Sequence, residues 1–99
     1  MYGIDSETWK VILDVLSKDG NIEEIILYGS RAKGTYKNGS DIDLCLKGHS
    51  ISKEALYHMM DEIDDLYIPY KVDLSIYDKI ENIELKDHID RVGIKLRNL

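Results

Sequence analysis

The chain has 99 residues with the composition of an ordinary globular domain, including 43% hydrophobic residues and one proline. This length fits one hydrophobic core and is too short for two, so residues 1–99 are expected to form a single domain. The 13 basic and 19 acidic residues give a net charge of −6. That balance argues against direct nucleic-acid binding, which needs a basic face. No apolar run approaches the roughly 20 residues of a membrane span, so no membrane contact is expected.

The N-terminal sequence and the cysteine content predict a cytoplasmic protein. Residues 1–5 lack the basic and apolar regions of a signal peptide. The single cysteine, Cys45, cannot form an internal disulfide. It lies on the same strand face as Asp41 and Asp43, but no histidine is placed to activate it. We therefore predict that Cys45 packs in the interior.

Hydrophobic periodicity predicts helices that alternate with short strands. The predicted elements, in chain order, are a helix capped by Asp5 or Ser6 and ending before Gly20, a strand over 24–28, a turn or one helical turn over 30–34, a strand over 41–47, a helix capped by Ser52 and ending before Pro69, a strand over 71–76, a helix capped by Asn82 and ending at Gly93, and an edge strand over 94–96. This order predicts an α+β (α/β-like) domain: a short mixed β-sheet with helices packed on one face.

The first candidate site lies at Gly29 and Ser30, where the first predicted strand ends. A glycine lets the backbone approach a ligand closely, and exposed N–H groups at such a turn bind phosphate. The Ser30 hydroxyl adds a donor without bulk. Arg31 or Lys33 could offset charge on a leaving pyrophosphate. This turn is therefore a candidate nucleotide-binding segment.

Ten residues separate Ser30 from the second candidate site, where Asp41 and Asp43 alternate with aliphatic residues. Alternation places both carboxylates on one face of a strand, with Cα atoms ~7 Å apart. Two carboxylates so placed can flank a pair of divalent ions, as two-metal phosphoryl-transfer sites require. Mg²⁺ is the natural occupant, because it takes one or two carboxylates and completes its shell with water and phosphate oxygens.

Asp73 occupies an equivalent position in the third predicted strand, between Val72 and Leu74. If that strand lies beside the second, Asp73 shares a face with Asp41 and Asp43. It could then bind the metal nearest the acceptor and accept the proton of an incoming hydroxyl.

The three histidines, His49, His58 and His88, show no metal-ligand spacing among themselves. We predict surface or boundary packing for each of them.

Taken together, Gly29, Ser30, Asp41, Asp43 and Asp73 resemble the motif of the DNA polymerase β-like nucleotidyltransferase superfamily: Gly-Ser, a spacer, Asp-x-Asp and a later Asp on a neighbouring strand. The run Gly-Ser-Arg-Ala-Lys-Gly with Ser-Asp-Ile-Asp-Leu is most similar to the minimal nucleotidyltransferases, the MNT-domain proteins of prokaryotes. The likeness covers nearly the whole chain and departs at no motif position. It implies a nucleotidyltransferase fold with the site on one face of the sheet, Mg²⁺, and transfer of a nucleoside monophosphate from a nucleoside triphosphate.

The resemblance also implies a partner. Larger members of the superfamily carry a helical domain that helps to bind the acceptor, and this chain ends about where the catalytic core does. The acceptor site is therefore expected on another copy or on a separate protein. In the minimal family the usual partner is a HEPN-domain toxin, a ribonuclease, and the nucleotidyltransferase is the antitoxin that adds AMP from ATP to a toxin tyrosine.

Two other functions stay open at the level of sequence. The chain could be a binding module that inhibits its partner by contact alone. It could also be the catalytic subunit of a small-molecule adenylyltransferase of the aminoglycoside type, assembled with a separate helical subunit.

Overall fold

The computed structural model describes the backbone of residues 1–98 and the side chains of residues 1–96. Within this range, helices and strands alternate around one sheet. The elements are α1 (Ser6–Ser17), β1 (Ile22–Tyr28), α2 (Gly29–Lys33), β2 (Ile42–Gly48), α3 (Lys53–Asp64), β3 (Val72–Ile76), a 3₁₀ turn (Tyr77–Lys79), α4 (Ile83–Val92) and β4 (Ile94–Asn98). The predicted α+β class is confirmed.

The helix starts follow from local capping chemistry. The side chains of Asp5, Ser52 and Asn82 each accept a hydrogen bond from the backbone N–H three residues later. Such a bond satisfies one of the amides that a helix N-terminus leaves unpaired. The predicted caps of the three long helices are thus confirmed.

The sheet is mixed, with its strands in the order β3-β2-β1-β4. β1 runs antiparallel to both β2 and β4, whereas β2 and β3 are parallel. The parallel pair is joined by α3, the crossover connection that two parallel neighbours require. This topology places the end of β1 and the start of β2 at one edge of the sheet, where Tyr28 pairs with Asp43.

The main core lies on the face of the sheet that α1 and α3 cover. In β2, Ile42, Leu44 and Leu46 are fully buried there, as the alternating pattern predicts. The buried residues of α1 and α3 that close this core include Ile12, Leu16, Met59 and Ile63.

The last helix, α4, packs on the opposite face. Its Ile89 forms a second, smaller cluster with Ile26 and Cys45. The prediction that all helices pack on one face of the sheet is therefore wrong for α4. The reason is that β1 and β2 each place an apolar residue, Ile26 and Cys45, on the opposite face, where α4 can pack. Gly93 follows α4, and its φ is not left-handed. A Cβ at this position would collide with the Ile89 carbonyl and the Ile26 side chain. Glycine is therefore required here for close packing.

Cys45 is fully buried in this second cluster, as predicted. Burial raises the pKa of its thiol to about 11, so little thiolate exists near neutral pH. We expect Cys45 in the native protein to resist iodoacetamide and to react completely once the protein is unfolded in guanidinium chloride. Mass spectrometry of both samples checks this, and rapid labelling of the native protein would contradict the packing of α4 over β2.

None of the described helices combines the length and the apolar character needed to cross a bilayer.

Candidate active site

The sheet brings the predicted acidic residues together at one edge. Asp43 in β2 pairs in register with Asp73 in β3, so both side chains project from the same face of neighbouring strands about 4.8 Å apart. Asp41 lies immediately before β2, which begins at Ile42 rather than at the predicted Asp41. The expected adjacency of Asp73 to the Asp-x-Asp pair is confirmed.

The three carboxylates interact through their charges. Burial raises the pKa of Asp43 above its ordinary value, and the negative charges of Asp73 and Asp41 raise it further. A cation is favoured in such a place because it removes like-charge repulsion. Carboxylate oxygens are also the hard ligands that Mg²⁺ prefers, so the donor set fits that ion.

The side chains are nevertheless not arranged as finished metal ligands. Among the side chains of residues 1–96, no three His, Cys, Asp or Glu residues form a preassembled metal-binding group. The register of β2 and β3 aligns Asp43 with Asp73 at the backbone, so shared coordination of an ion would require these side chains to rotate.

Lys71 is a neighbour of the site that the sequence reasoning missed. Its Nζ lies 3.9 Å from Asp73 Oδ1, and the side chain is largely exposed. The same ammonium partly opposes the rise in the pKa of Asp43. Its position two residues before Asp73 places it on the same strand face, which is the signal that could have identified it.

Gly29 connects the two predicted halves of the site. It has a φ of +74°, and a Cβ at this position would collide with the Oδ2 atom of Asp43. Both the left-handed backbone and the lack of space require glycine here. The turn formed by Gly29 and Ser30, called below the glycine–serine turn, therefore lies directly against the acidic residues.

Gly29→Ala is expected to lower the free energy of unfolding by about 2 kcal/mol, because alanine is strained at positive φ and displaces Asp43. Urea denaturation measures the change. Gly20→Ala is the matched control, because nothing lies within 4 Å of a Cβ there, and it should leave stability nearly unchanged. Equal stability of the two variants would contradict the tight contact.

Ser30 and Lys33 follow Gly29 in the short helix α2. Ser30 is half-buried, and Lys33 is exposed in the last turn. Their predicted role at a nucleotide therefore remains a prediction.

Arg31 is placed differently from the prediction. It is only 2% exposed, and its guanidinium donates two hydrogen bonds to the Ser40 carbonyl and one to the Tyr2 carbonyl. The rings of Tyr36 and Tyr70 lie 5.1 and 5.2 Å from its Cζ atom. Arg31 thus anchors the loop that leads into Asp41, and we do not assign it to phosphate binding.

His88 also reaches the site, and no spacing in the sequence indicated this. Its Nε2 accepts a hydrogen bond of 3.2 Å from the Gly29 N–H. The other two histidines lie on the surface as predicted, His49 beside Glu23 and His58 beside Glu62. His88 differs from them because α4 packs on the face of the sheet that carries Asp43.

A scan against family models identifies the chain. The family model that matches is described as polymerase beta, nucleotidyltransferase, and it covers residues 10–98. The chain belongs to the polymerase beta nucleotidyltransferase family. The match covers the glycine–serine turn and also Asp41, Asp43 and Asp73, called below the acidic cluster. It confirms the resemblance drawn from the sequence.

Solved structures show the same nucleotidyltransferase fold. A toxin–antitoxin crystallised with AMP-PNP matches at 18% identity and a TM-score of 0.75, over 97% of this chain and 75% of that one. A tri-AMPylated Shewanella oneidensis HEPN toxin in complex with an MNT antitoxin matches at 17% identity and a TM-score of 0.72, over 100% and 74%. The toxin–antitoxin MntA–HepT matches at 16% identity and a TM-score of 0.71, over 96% and 74%. At identities this low, the likeness to these structures shows the fold alone. A search of curated proteins found no match.

Proposed function

We propose that this chain is a Mg²⁺-dependent nucleotidyltransferase that transfers AMP from ATP to a tyrosine of a HEPN-domain toxin, and that it acts in the cytoplasm as the antitoxin. In this proposal residues 1–99 form a single catalytic domain. The observation that carries it is the pairing of Asp43 with Asp73 directly beside Gly29. This pairing sets hard oxygen ligands against a backbone turn of the type that binds phosphate.

The partner and the nucleotide in this proposal are supported by the structural neighbours. One of them is a toxin–antitoxin crystallised with AMP-PNP, and another contains a tri-AMPylated HEPN toxin. The family to which the chain belongs supports nucleotidyl transfer in general. Protein AMPylation is the member of that class that these neighbours favour.

The residues divide into two groups by role. The glycine–serine turn holds the triphosphate through the Ser30 hydroxyl and backbone N–H groups, and Lys33 offsets the charge of the pyrophosphate. Asp41, Asp43 and Asp73 hold two Mg²⁺ ions. When bound, Mg²⁺ neutralises charge on the phosphate oxygens, which is the main requirement of phosphoryl transfer.

The transfer step conserves atoms and charge. The tyrosine oxygen of the toxin forms a bond with the α-phosphorus of ATP, and the bond from that phosphorus to the oxygen bridging the α- and β-phosphates breaks. Pyrophosphate leaves with the bonding electrons, and Asp73 accepts the phenolic proton. Asp73 suits this role because it lies on an edge strand, with its side chain 42% exposed, so an acceptor hydroxyl can approach it.

The test uses ATP labelled on its α-phosphate, Mg²⁺ and an extract of the native host whose own copy of the gene is deleted. Wild type runs beside the Asp41→Asn, Asp43→Asn double variant. Asp61→Asn with Asp64→Asn is the matched control, because it removes two carboxylates from the exposed side of α3.

One labelled protein band with wild type and the α3 control, absent with the site variant, is the expected result and identifies the acceptor. Label on a small molecule instead would favour the small-molecule adenylyltransferase. If no label moves and a tight partner co-purifies with both wild type and the site variant, the chain inhibits by contact and the transferase proposal is wrong.

A further inference from the structure

The junction between β1 and α2 is held from the other side by α4. The Gly29 N–H donates to His88 Nε2 at 3.2 Å. The His88 ring also meets the ring of Tyr28 edge-on, with centroids 6.1 Å apart and an interplanar angle of 79°. Two consecutive residues at the end of β1 are therefore fixed by one side chain that lies 59 residues further along the chain.

His88 is itself held firmly. The next residue, Ile89, is 2% exposed and packs against Ile26 and Cys45, so the helix turn that carries the imidazole is anchored in the interior. An Nε2 that accepts a hydrogen bond carries no proton, so the proton of the neutral ring is on Nδ1. The ring thus offers a fixed acceptor to a backbone donor.

This bond determines the direction of the peptide group that enters the glycine–serine turn. Gly29 has no side chain to restrict it, and its φ of +74° is one of several conformations that glycine adopts easily. Without an acceptor for its N–H, the Tyr28–Gly29 peptide could rotate away from the contact with Asp43. Tyr28 is held by its pairing with Asp43 and Gly29 begins α2, and the hydrogen bond to His88 is the side-chain contact that restricts the Gly29 amide itself.

We propose that His88 is a positioning residue for nucleotide binding: by accepting the Gly29 N–H, it keeps the glycine–serine turn in the conformation that faces Asp43. The inference rests on the proposed function, because it assigns His88 a task at the same nucleotide site. His88 acts through Gly29 and makes no contact with the nucleotide in this account.

The test compares His88→Leu, which removes the acceptor, with His88→Gln, whose side-chain oxygen can reach the position of Nε2. His88→Asn is a second loss variant, because its oxygen lies near the position of Nδ1 and falls short of Gly29. His58→Leu on α3 is the control, since His58 is exposed and contacts Glu62. The probe is α,β-methylene ATP with Mg²⁺, titrated by calorimetry well below the melting temperature of each variant.

Two readouts are expected to change together. The Kd for the analogue should rise about five- to tenfold in His88→Leu and His88→Asn, the effect of one lost hydrogen bond, and should return to within about threefold of wild type in His88→Gln. The ¹⁵N–¹H resonance of Gly29 should show faster solvent exchange in the two loss variants and retain slow exchange in His88→Gln. The His58→Leu variant should match wild type in both readouts.

Three results would overturn the inference, and they differ from one another. If the Gly29 amide is freed but the Kd is unchanged, the bond exists and has no role in binding. If His88→Gln loses affinity as fully as His88→Leu, while its Gly29 amide stays protected, the imidazole acts on the nucleotide directly. If wild type itself fails to bind the analogue, the proposed function fails, and the protected Gly29 amide then shows that the fault is not in the His88 contact.

Discussion

Asp43→Asn is expected to reduce AMP transfer by about a thousandfold or more while making the metal-free protein more stable. The loss follows because a ligand of the catalytic ions is removed, and such ions contribute several kcal/mol of transition-state stabilisation. The gain follows because burial and the charges of Asp73 and Asp41 disfavour the Asp43 carboxylate. A neutral amide of the same shape removes that cost.

The gain in stability of Asp43→Asn is expected to depend on pH. The pKa of Asp43 is raised in the folded state above the ordinary value of 3.8, so the folded protein binds the proton more tightly than the unfolded chain does. The carboxylate therefore lowers stability above its folded-state pKa, and the cost disappears as the pH falls toward 3.8. We expect the stability difference between Asp43→Asn and wild type to be small, because the group is partly exposed, and to shrink over this range.

Urea denaturation in EDTA at several pH values measures the stability difference, and labelled ATP measures transfer. Asp61→Asn is the control, because Asp61 is exposed on α3; it should change neither quantity. If Asp43→Asn destabilises the metal-free protein at neutral pH, the Asp43 carboxylate is not disfavoured by its burial and by the charges of Asp73 and Asp41. Full activity in this variant would remove Asp43 from the catalytic site.

Arg31→Lys is expected to lower the free energy of unfolding by about 3 kcal/mol, despite the conserved charge. The buried guanidinium makes hydrogen bonds to the carbonyls of Ser40 and Tyr2 at the same time. The rings of Tyr36 and Tyr70 also lie 5.1 and 5.2 Å from its Cζ atom. A lysine ammonium is a single point charge that cannot span both carbonyls or stack in the same way, and hydrogen bonds from charged donors contribute about 1.5–3 kcal/mol each.

The matched control for this prediction is Arg91→Lys. Arg91 is 64% exposed and pairs with Asp87 one turn away in α4, an interaction that contributes less than about 1 kcal/mol. Thermal and urea denaturation should therefore separate the two variants clearly. Equal stabilities would mean that Arg31 is less buried in solution than its 2% exposure in the structure indicates, and would restore it as a candidate for binding phosphate.

Much of the architecture was predictable from local chemistry. The residues that cap the helices, Asp5, Ser52 and Asn82, satisfy nearby amides and need no tertiary information. The alternation in β2 fixed which face Asp43 occupies. The adjacency of Asp73 depended on topology and stayed a condition at the level of sequence, because a helical crossover can also join strands that are not neighbours; the structure supplies it through the parallel pairing of β2 with β3.

The remaining features depended on contacts between distant parts of the chain. Arg31 was predicted to offset charge on a leaving pyrophosphate, because a sequence does not indicate that Ser40 and Tyr2 present carbonyls to one guanidinium. His88 lacked any spacing that links it to Gly29. The contacts of both side chains come from distant parts of the chain: Tyr2 and Ser40 for Arg31, and Gly29 for His88. No local pattern indicates them.

The most direct test of the central claim is a crystal structure with Mn²⁺ and α,β-methylene ATP, analysed by anomalous diffraction at the manganese edge. We expect manganese peaks ligated by Asp41, Asp43 and Asp73, with the triphosphate against Gly29 and Ser30. Nucleotide bound elsewhere, or manganese absent from the acidic cluster while the nucleotide is present, would contradict the assignment of this edge of the sheet as the catalytic site.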